Sequence, residues 1–326
     1  MMPLSLFFAA FLIAFFLCAL STAWLLPRLR RRKLGQTILE IGPVWHAPKE
    51  GTPTMGGLTF LFAACVAGGA MLLILRKDTP ADLLYPFCLS LLYATLNGAV
   101  GIVDDLTKFR RHRNDGLTPT QKIILQTTLG AAYLALMRLA GYVNGSIFLF
   151  GAERDLGFFL YCVYLLLLLG VTNCANLTDG IDGLAAAVAA VIGGAFSFLS
   201  ARAENIPALY MSAILLGCAL AFLFFNRHPA RIFMGDTGSL FLGAMAAAIP
   251  FLLGRPFLSL LCGVVYVVEG ASVILQVLYY KATHRRLFLM APIHHHFEKC
   301  GWSENKIVVV FAALTFVSGV LACLLP

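Results

Sequence analysis

Long apolar runs alternate with short polar segments from one end of the chain to the other. Each run is close to the roughly 20 residues that a helix needs to cross a bilayer, so the pattern predicts about ten transmembrane helices. The predicted spans are residues 4–26, 55–75, 82–103, 119–140, 157–174, 183–201, 207–225, 238–253, 256–280 and 306–325. Because no connecting segment is long enough to form a soluble domain, residues 1–326 are expected to form one integral-membrane domain of the all-α class.

Composition supports the same class. Sixty per cent of the 326 residues are hydrophobic and only 12% are charged, which is too few charges to cover a water-soluble protein. The first apolar run is not expected to be a signal peptide, because its basic residues (28–33) follow the run instead of preceding it. The nine cysteines lie mostly inside apolar spans without metal-ligand spacing, so they are expected to pack as small hydrophobic side chains.

Positive charge is distributed unevenly between the two sides of the predicted bundle. Of the 24 Lys and Arg residues, 18 fall in or beside the odd-numbered loops and 6 in or beside the even-numbered ones. Since Lys and Arg mark the cytoplasmic side, the odd loops are predicted inside and both termini outside, in the extracellular or periplasmic space. The net charge of +8 is therefore a topology signal, and it does not indicate binding of nucleic acid.

The longest even loop, residues 141–156, contains Asn144-Gly145 before an apolar run that ends at Phe150. Asn-Gly favours a type I′ turn, so a small external β-hairpin is one interpretation of this loop. An irregular loop is the other.

The odd loops hold nearly all of the unusual polar residues. They contain, in chain order, Lys49–Gly57, Asp104-Asp105, Asn176–Gly183, Asn226 with Met234–Ser239, and Pro292–Glu298. Loops on one side of a helix bundle converge in space, so these segments are expected to form a single cleft at the cytoplasmic face.

Five of the sixteen acidic residues lie where apolar spans meet that face, namely Asp104, Asp105, Asp179, Asp182 and Asp236. A carboxylate at that depth is costly unless a cation, water or a hydrogen-bond network compensates it. Helix capping is one explanation, because Asp is a good N-cap residue. The other is a magnesium site that handles phosphates, because Mg²⁺ prefers one or two carboxylates completed by water and phosphate oxygens.

Gly-rich and basic residues complement these acids. The segment Gly51–Gly57 leads into the second span, where free backbone N–H groups could meet a phosphate, although it lacks the P-loop pattern. Lys49 and Lys122 either hold a diphosphate or extend to the membrane surface as ordinary basic residues. Three consecutive histidines, 294–296, do not fit a zinc site, and Glu269 is interpreted as a structural partner or a helix break that lies well away from the cytoplasmic motifs.

Taken together and in order, the motifs resemble those of a known superfamily. These are GTPTMGG (51–57), Asp104-Asp105, NLTDGIDGLA (176–185), FMGDTGS (233–239) and APIHHHFE (291–298). The set resembles the polyprenyl-phosphate N-acetylhexosamine-1-phosphate transferases, and the histidine motif is similar to that of their peptidoglycan branch, the phospho-N-acetylmuramoyl-pentapeptide transferases. The match runs from Lys49 to Glu298.

The resemblance implies a ten-helix enzyme of the bacterial plasma membrane with a cytoplasmic catalytic cleft. It implies Mg²⁺ as cofactor, UDP-N-acetylmuramoyl-pentapeptide as donor and undecaprenyl phosphate as acceptor, with lipid I and UMP as products of the first membrane step of peptidoglycan synthesis. A homodimer is a further expectation.

The resemblance also implies roles for single residues. The catalytic residues would be Asp104, Asp105, Asp236 and His294, with Asp236 as the Mg²⁺ ligand. The substrate-binding residues would be Lys49, Thr54, Lys122, Asn176, Asp179, Asp182, Asn226, Phe233, Gln276 and His295. Within this set, Phe233 is a candidate for stacking on uracil.

Two mechanisms and two other functions stay open. The lipid phosphate attacks the donor directly, or one Asp of the 104–105 pair forms a covalent intermediate. A sister transferase that uses an N-acetylglucosamine donor would share the acidic motifs. A transporter would need charged residues through the middle of the bilayer, where the sequence has essentially only Glu269. A bend of the ninth span at Glu269-Gly270 is expected to leave a groove for the lipid.

Overall fold

The structure, a computed structural model, describes residues 2–31, 49–76, 81–111, 116–149 and 152–324. Within these ranges the chain forms twelve helices and one two-stranded sheet. The helices are α1 (Met2–Arg31), α2 (Leu58–Leu75), α3 (Ala81–Arg111), α4 (Pro119–Leu139), α5 (Phe158–Thr178), α6 (Leu184–Arg202), α7 (Ile206–Asn226), α8 (Gly235–Leu252), α9 (Leu258–Cys262), α10 (Val264–Thr283), α11 (Ile293–Lys299) and α12 (Glu304–Leu324). Arg32, Lys33 and Phe150, on which parts of the sequence patterns rest, lie outside the described residues.

The all-α, multi-pass membrane class is confirmed. Nine helices of the described residues are long and apolar enough to cross a membrane. The remaining predicted span, residues 119–140, corresponds to α4, which is 21 residues long but less apolar because it carries Gln121, Lys122 and Gln126 near its start. The side of the membrane on which each terminus lies stays a prediction.

Helix α8 lies at the centre of the bundle and packs against α3, α5 and α7. Every residue from Thr237 to Leu252 is buried, as expected for a helix that is apolar on all sides. Small side chains such as Gly243 and Ala244 allow the neighbouring helices to approach closely. As a result Asp236, in the first turn of α8, stands in the middle of one end of the bundle.

The predicted β-hairpin is confirmed, although its turn differs from the expected one. Strands β1 (Ser146–Leu149) and β2 (Ala152–Asp155) pair antiparallel, with Ser146 opposite Asp155. Asn144 and Gly145 lie before β1 and not in its turn, because the Gly145 carbonyl accepts a hydrogen bond from the Leu156 N–H (2.8 Å) and closes the base of the hairpin.

The ninth predicted span is interrupted, but not at the expected residues. The break falls at Gly263, between α9 and α10, and α10 continues without interruption through Glu269 and Gly270. A Cβ atom at Gly263 would lie 2.5 Å from the Ser259 carbonyl oxygen, so the tight connection between the two helices needs glycine there. Glu269 does not break the helix, since glutamate is a good helix former.

Candidate active site

Two carboxylates and two ammonium groups form the first charged cluster, at the end of the bundle where α8 begins. Lys122, at the start of α4, has its Nζ 2.5 Å from Oδ2 of Asp236 and 3.3 Å from Oδ1 of Asp104. Lys108, one turn after Asp104 on α3, has its Nζ 2.6 Å from Oδ2 of Asp104 and 3.3 Å from Oδ1 of Asp236. Each lysine therefore bridges the same two acids, whose mutual repulsion the ammonium groups offset.

Asp105 faces the same centre but is engaged with the backbone of α8. Its carboxylate accepts hydrogen bonds from the Asp236 N–H (3.1 Å), the Thr237 N–H (3.0 Å) and the Thr237 hydroxyl (2.7 Å). A carboxylate at a helix N-terminus satisfies free N–H groups and interacts favourably with the helix dipole. Asp105 thereby fixes the start of α8 and the backbone that carries Asp236.

Asn176 joins the cluster from the last turn of α5. Its amide nitrogen donates to Oδ1 of Asp236 (3.2 Å) and to the Ser239 hydroxyl (2.7 Å). The Asp104, Asp236, Lys122 and Asn176 side chains, predicted from separate motifs, are thus brought into one site.

The Gly-rich segment is held to the loop before α8 by backbone hydrogen bonds. The Phe233 N–H donates to the Pro53 carbonyl (2.8 Å), and the Gly56 and Gly57 N–H groups donate to the Phe233 and Met234 carbonyls (2.9 Å each). Thr54 is half-buried in this segment. The half-buried Phe233 ring makes no ring-to-ring contact with the other described residues, so its predicted role on uracil stays a prediction.

The position before Asp236, at the start of α8, requires glycine for two reasons. The φ of Gly235 is +69°, a conformation that other residues rarely adopt. A Cβ atom there would lie 2.6 Å from Oδ2 of Asp105 and 2.9 Å from Oγ1 of Thr54. Only glycine lets these two side chains approach the backbone of the cluster.

A second charged cluster lies at the start of α12. The Lys49 Nζ is 2.8 Å from Oδ1 of Asp182 and 2.7 Å from Oε2 of Glu304. The other oxygen of Asp182, Oδ2, is 2.9 Å from Nδ1 of His228 and accepts a hydrogen bond from the Ala230 N–H (3.0 Å). Lys49 and Asp182, predicted as substrate-binding residues, therefore meet each other rather than the first cluster.

A cavity of about 280 Å³ opens beside this second cluster. It is lined by His228, Glu298, Trp302, Ser303, Glu304 and Asn305.

Asp179 lies between the two clusters, at the C-terminus of α5. Its carboxylate makes no hydrogen bond or ion pair with any other residue of the described ranges. Burial raises the pKa of Asp179 well above its usual range, and the negative charges of Asp236, Asp105 and Asp182 raise it further. Of the five predicted acids, Asp179 is thus the one whose charge is least compensated, which suits a group that meets a ligand.

His294 and His295 lie on α11, against the loop that follows α5. Both side chains of the His294–Glu269 pair are fully buried, with Nδ1 of His294 3.0 Å from Oε1 of Glu269. Nδ1 of His295 is 2.6 Å from Oε2 of Glu298, and the two histidine rings lie 4.1 Å apart. The expectation that Glu269 lies well away from the cytoplasmic motifs is wrong, because α11 packs against α10 and brings the histidine motif to it; its interpretation as a structural partner is supported.

The Asn226 and Gln276 side chains make hydrogen bonds to backbone groups and do not point into an open cleft. Asn226 accepts from the Gly183 N–H (3.1 Å) and donates to the Ile232 carbonyl (2.9 Å). Gln276 accepts from the Phe288 N–H (2.8 Å) and donates to its carbonyl (3.2 Å), so it anchors the segment that leads to α11. Their predicted contact with substrate stays a prediction.

Three residues of the two clusters were not predicted from the sequence. Lys108 stands four residues after Asp104, and this helical spacing could have identified it. His228 and Glu304 lie outside the five motifs, and no local pattern identifies them. Their place is set by the packing of the 227–231 loop and α12 against the loop after α5.

Two groups of described residues have oxygen or nitrogen atoms close enough to hold a metal ion. They are Asp104, Asp105 and Asp236, and Asp182, His228 and Glu304. Both groups already pair with lysines, the first with Lys108 and Lys122 and the second with Lys49. The first offers only carboxylate oxygens, which Mg²⁺ prefers, whereas the second includes an imidazole. The first group is the better fit to magnesium.

Comparison with known proteins identifies similar chains. Residues 87–254 match the model of glycosyl transferase family 4, and residues 49–61 match signature 1 of the phospho-N-acetylmuramoyl-pentapeptide-transferases. The chain is 43% identical over 281 residues to the phospho-N-acetylmuramoyl-pentapeptide-transferase of Enterococcus faecalis, covering 86% of each protein. It is 39% identical over 316 residues to that of Clostridium perfringens strain SM101 (94% of this chain, 93% of the relative) and 38% identical over 323 residues to that of Listeria monocytogenes serotype 4b (98% of each).

Proposed function

This chain belongs to the family of phospho-N-acetylmuramoyl-pentapeptide-transferases, and from that premise we propose the reaction that it catalyses. It transfers phospho-N-acetylmuramoyl-pentapeptide from the UDP-linked donor to undecaprenyl phosphate, and it releases lipid I and UMP. The transfer is the first membrane step of peptidoglycan synthesis.

One observation carries the proposal beyond family membership. Lys108 and Lys122 bridge Asp104 and Asp236 at the point where α3, α4 and α8 meet. Reaction between a phosphate and a diphosphate must overcome repulsion between negative groups, so a site for it needs fixed positive charge and a place for a metal ion. This cluster offers both, at the end of a bundle whose flanks can contact a lipid.

Asp236 and Asp104 are the residues that would hold Mg²⁺. Bound there, the ion would supply positive charge to the diphosphate oxygens and to the leaving UMP. Asp105 supports the site indirectly, because its hydrogen bonds fix the first turn of α8 from which Asp236 projects.

The residues of the chain prepare the two substrates for direct attack. Lys122 and Lys108 neutralise phosphate oxygens, and Asp104 orients the acceptor phosphate by accepting a hydrogen bond from the proton that its monoanion keeps. An oxygen of that phosphate attacks the sugar-linked phosphorus, the bond to the bridging oxygen breaks, and UMP leaves with that oxygen. A covalent intermediate on Asp105 is disfavoured, because both of its oxygens accept hydrogen bonds from α8.

The residues around the cluster are proposed to hold the donor. Asn176, Asp179 and Thr54 would contact its diphosphate and ribose side, Phe233 would stack on uracil, and Lys49 with Asp182 would line the same face. Asn226 and Gln276 would act by holding the loops, and His294 with His295 would lie near the sugar phosphate.

The enzyme is proposed to lie in the bacterial plasma membrane as a multi-pass protein whose site faces the cytoplasm, where the nucleotide donor is found. The bias of Lys and Arg toward the same loops supports this orientation. We also propose that the protein forms a homodimer in the membrane.

The test uses the full chain purified in detergent with undecaprenyl phosphate and Mg²⁺. UDP-N-acetylmuramoyl-pentapeptide is supplied in one reaction and UDP-N-acetylglucosamine in a parallel one, and both UMP and the lipid product are measured. We expect UMP from the muramoyl donor alone, lost with EDTA and with Asp236→Ala.

The other outcomes separate the alternatives. UMP from the N-acetylglucosamine donor alone would assign the chain to the sister activity. No UMP from either donor, in protein whose thermal unfolding shows that it is folded, would overturn the transferase proposal.

A further inference from the structure

A buried carboxylate that the proposed reaction does not use lies inside the bundle. Glu269, on α10, is fully buried in an otherwise apolar stretch. Its Oε1 is 3.0 Å from Nδ1 of His294, which is itself fully buried. The two groups are close but not aligned for a hydrogen bond, and among the residues that the structure describes no other group makes a hydrogen bond to either side chain.

The two side chains therefore depend on each other. A carboxylate without a partner in this environment is strongly unfavourable, so an acid there needs a group that compensates it. The groups around Glu269 carry no positive charge that could compensate it. Cys174 packs against Gly270, where a Cβ atom would lie 2.2 Å from its Sγ, and Tyr266 is buried one turn earlier on α10. His294 is the compensating group.

The pairing also fixes the direction of the imidazole. With Nδ1 toward Glu269, the other ring nitrogen points to the loop between α5 and α6, because a Cβ atom on Gly180 would lie 2.2 Å from Nε2. Asp179, the acid with the least compensated charge, is the residue before Gly180. A carboxylate beside one ring nitrogen keeps a proton on that nitrogen and determines what the other can do.

We propose that Glu269 is a positioning residue: it keeps the proton of His294 on Nδ1 and directs Nε2 to the loop of Asp179 and Gly180. This inference rests on the proposed function, in which His294 lies near the sugar phosphate. Glu269 acts through His294 and touches no substrate.

The first arm of the test is kinetic and uses the full chain in detergent. Glu269→Gln keeps the size of the side chain but removes its charge, so kcat should fall about 10- to 100-fold, while the KM for the nucleotide donor stays within about threefold. Glu269→Asp, which restores the carboxylate, should recover part of the loss. Thr315→Val is the matched control, because Thr315 is also a fully buried polar residue of a spanning helix and its hydroxyl donates to the Phe311 carbonyl of its own helix.

The second arm needs no turnover, so it distinguishes failure of this inference from failure of the proposed function. The ring nitrogens of ¹⁵N-histidine-labelled protein are observed by NMR without substrate, and the His294 signals are assigned by their loss in His294→Gln. We expect the Nδ1–H form in the wild type, a shift toward the Nε2–H form in Glu269→Gln, and a smaller shift in the same direction in Glu269→Asp.

Two results would overturn the inference. One is a His294 spectrum that Glu269→Gln leaves unchanged, and the other is a changed spectrum with an unchanged kcat. If Glu269→Gln is not recovered folded, the comparison rests on Glu269→Asp, whose shorter side chain should give a smaller change of the same sign in both arms; no change in either arm would then overturn it.

Discussion

The Lys122 ammonium lies 2.5 Å from a carboxylate oxygen of Asp236, although 114 residues separate them in the chain. Lys122 comes from the start of α4 and Asp236 from the start of α8, and α3 supplies Asp104 and Lys108 beside them. The cluster thus depends on three helices that all begin or end at the same face. Under the proposed function, charges that the helices hold in place before any phosphate arrives would meet the condition for electrostatic catalysis.

Loss of the Lys122 charge should impair transfer more than folding. Lys122→Gln is expected to lower kcat/KM by about 10²- to 10³-fold, the effect typical of removing one group that stabilises developing negative charge. The measurement is UMP release at saturating lipid. Lys281→Gln, an exposed lysine at the end of α10, is the control and should leave the rate within about twofold. An equal loss in both variants would argue against a specific role for Lys122.

Gly235 should be required for the site and not only for the turn. Gly235→Ala places a side chain at a φ of +69° and against Asp105, so it should lower both the unfolding temperature and the transfer rate. Gly254→Ala is the matched control, since its φ is +67° but nothing lies within 4 Å of the new Cβ atom. The strain that both variants share costs about 1–3 kcal/mol, so both should unfold at lower temperature, but only Gly235→Ala should lose activity.

The helices were predictable from the sequence because a bilayer imposes one strong rule, a long apolar run for each span. The rule places the end of a helix wrongly where polar residues continue it beyond the apolar run. Helix α5 continues to Thr178, four residues beyond its predicted end, because Asn176 is helical and points to Asp236 rather than to solvent. The break at Gly263 was missed because a glycine within an apolar run leaves the hydropathy unchanged.

The site was predictable where its residues stand in recognisable motifs, and less so where packing brings in single residues. Convergence of the odd loops was expected from topology alone. The pairing of Lys49 with Glu304, and the approach of His294 to Glu269, depend on how α11 and α12 pack, which no local pattern encodes. The position of Glu269 inside an apolar span was misleading, because a residue in the middle of such a span was expected to lie far from the loops that form the site.

The raised pKa of Asp179 predicts a pH-dependent stability. Because the folded state holds the proton more tightly than the unfolded chain, ionisation of Asp179 opposes folding. Stability is therefore lost as pH rises from the unfolded value, near 4, through the raised folded value. Asp179→Asn cannot ionise, so its unfolding temperature relative to the wild type should increase from pH 4.5 to pH 8.

Glu153→Gln, which removes an exposed carboxylate on β2, is measured in parallel and reports any effect of pH on the assay itself. A difference between Asp179→Asn and the wild type that stays constant across this range, or falls, would contradict the prediction.

The two carboxylate clusters make different predictions for the metal ion. If Mg²⁺ binds at the oxygen-only cluster, Asp236→Asn should raise the half-saturating Mg²⁺ concentration by at least about tenfold, since even residues that only support a metal ligand change affinity that much. Asp182→Asn should leave that concentration within about twofold, because Asp182 pairs with Lys49 and His228. The measurement is UMP release over a titration of Mg²⁺ after removal of metal with EDTA. The opposite pattern, a large shift in Asp182→Asn and none in Asp236→Asn, would move the magnesium to the second cluster and would make Lys49 the group that the ion displaces.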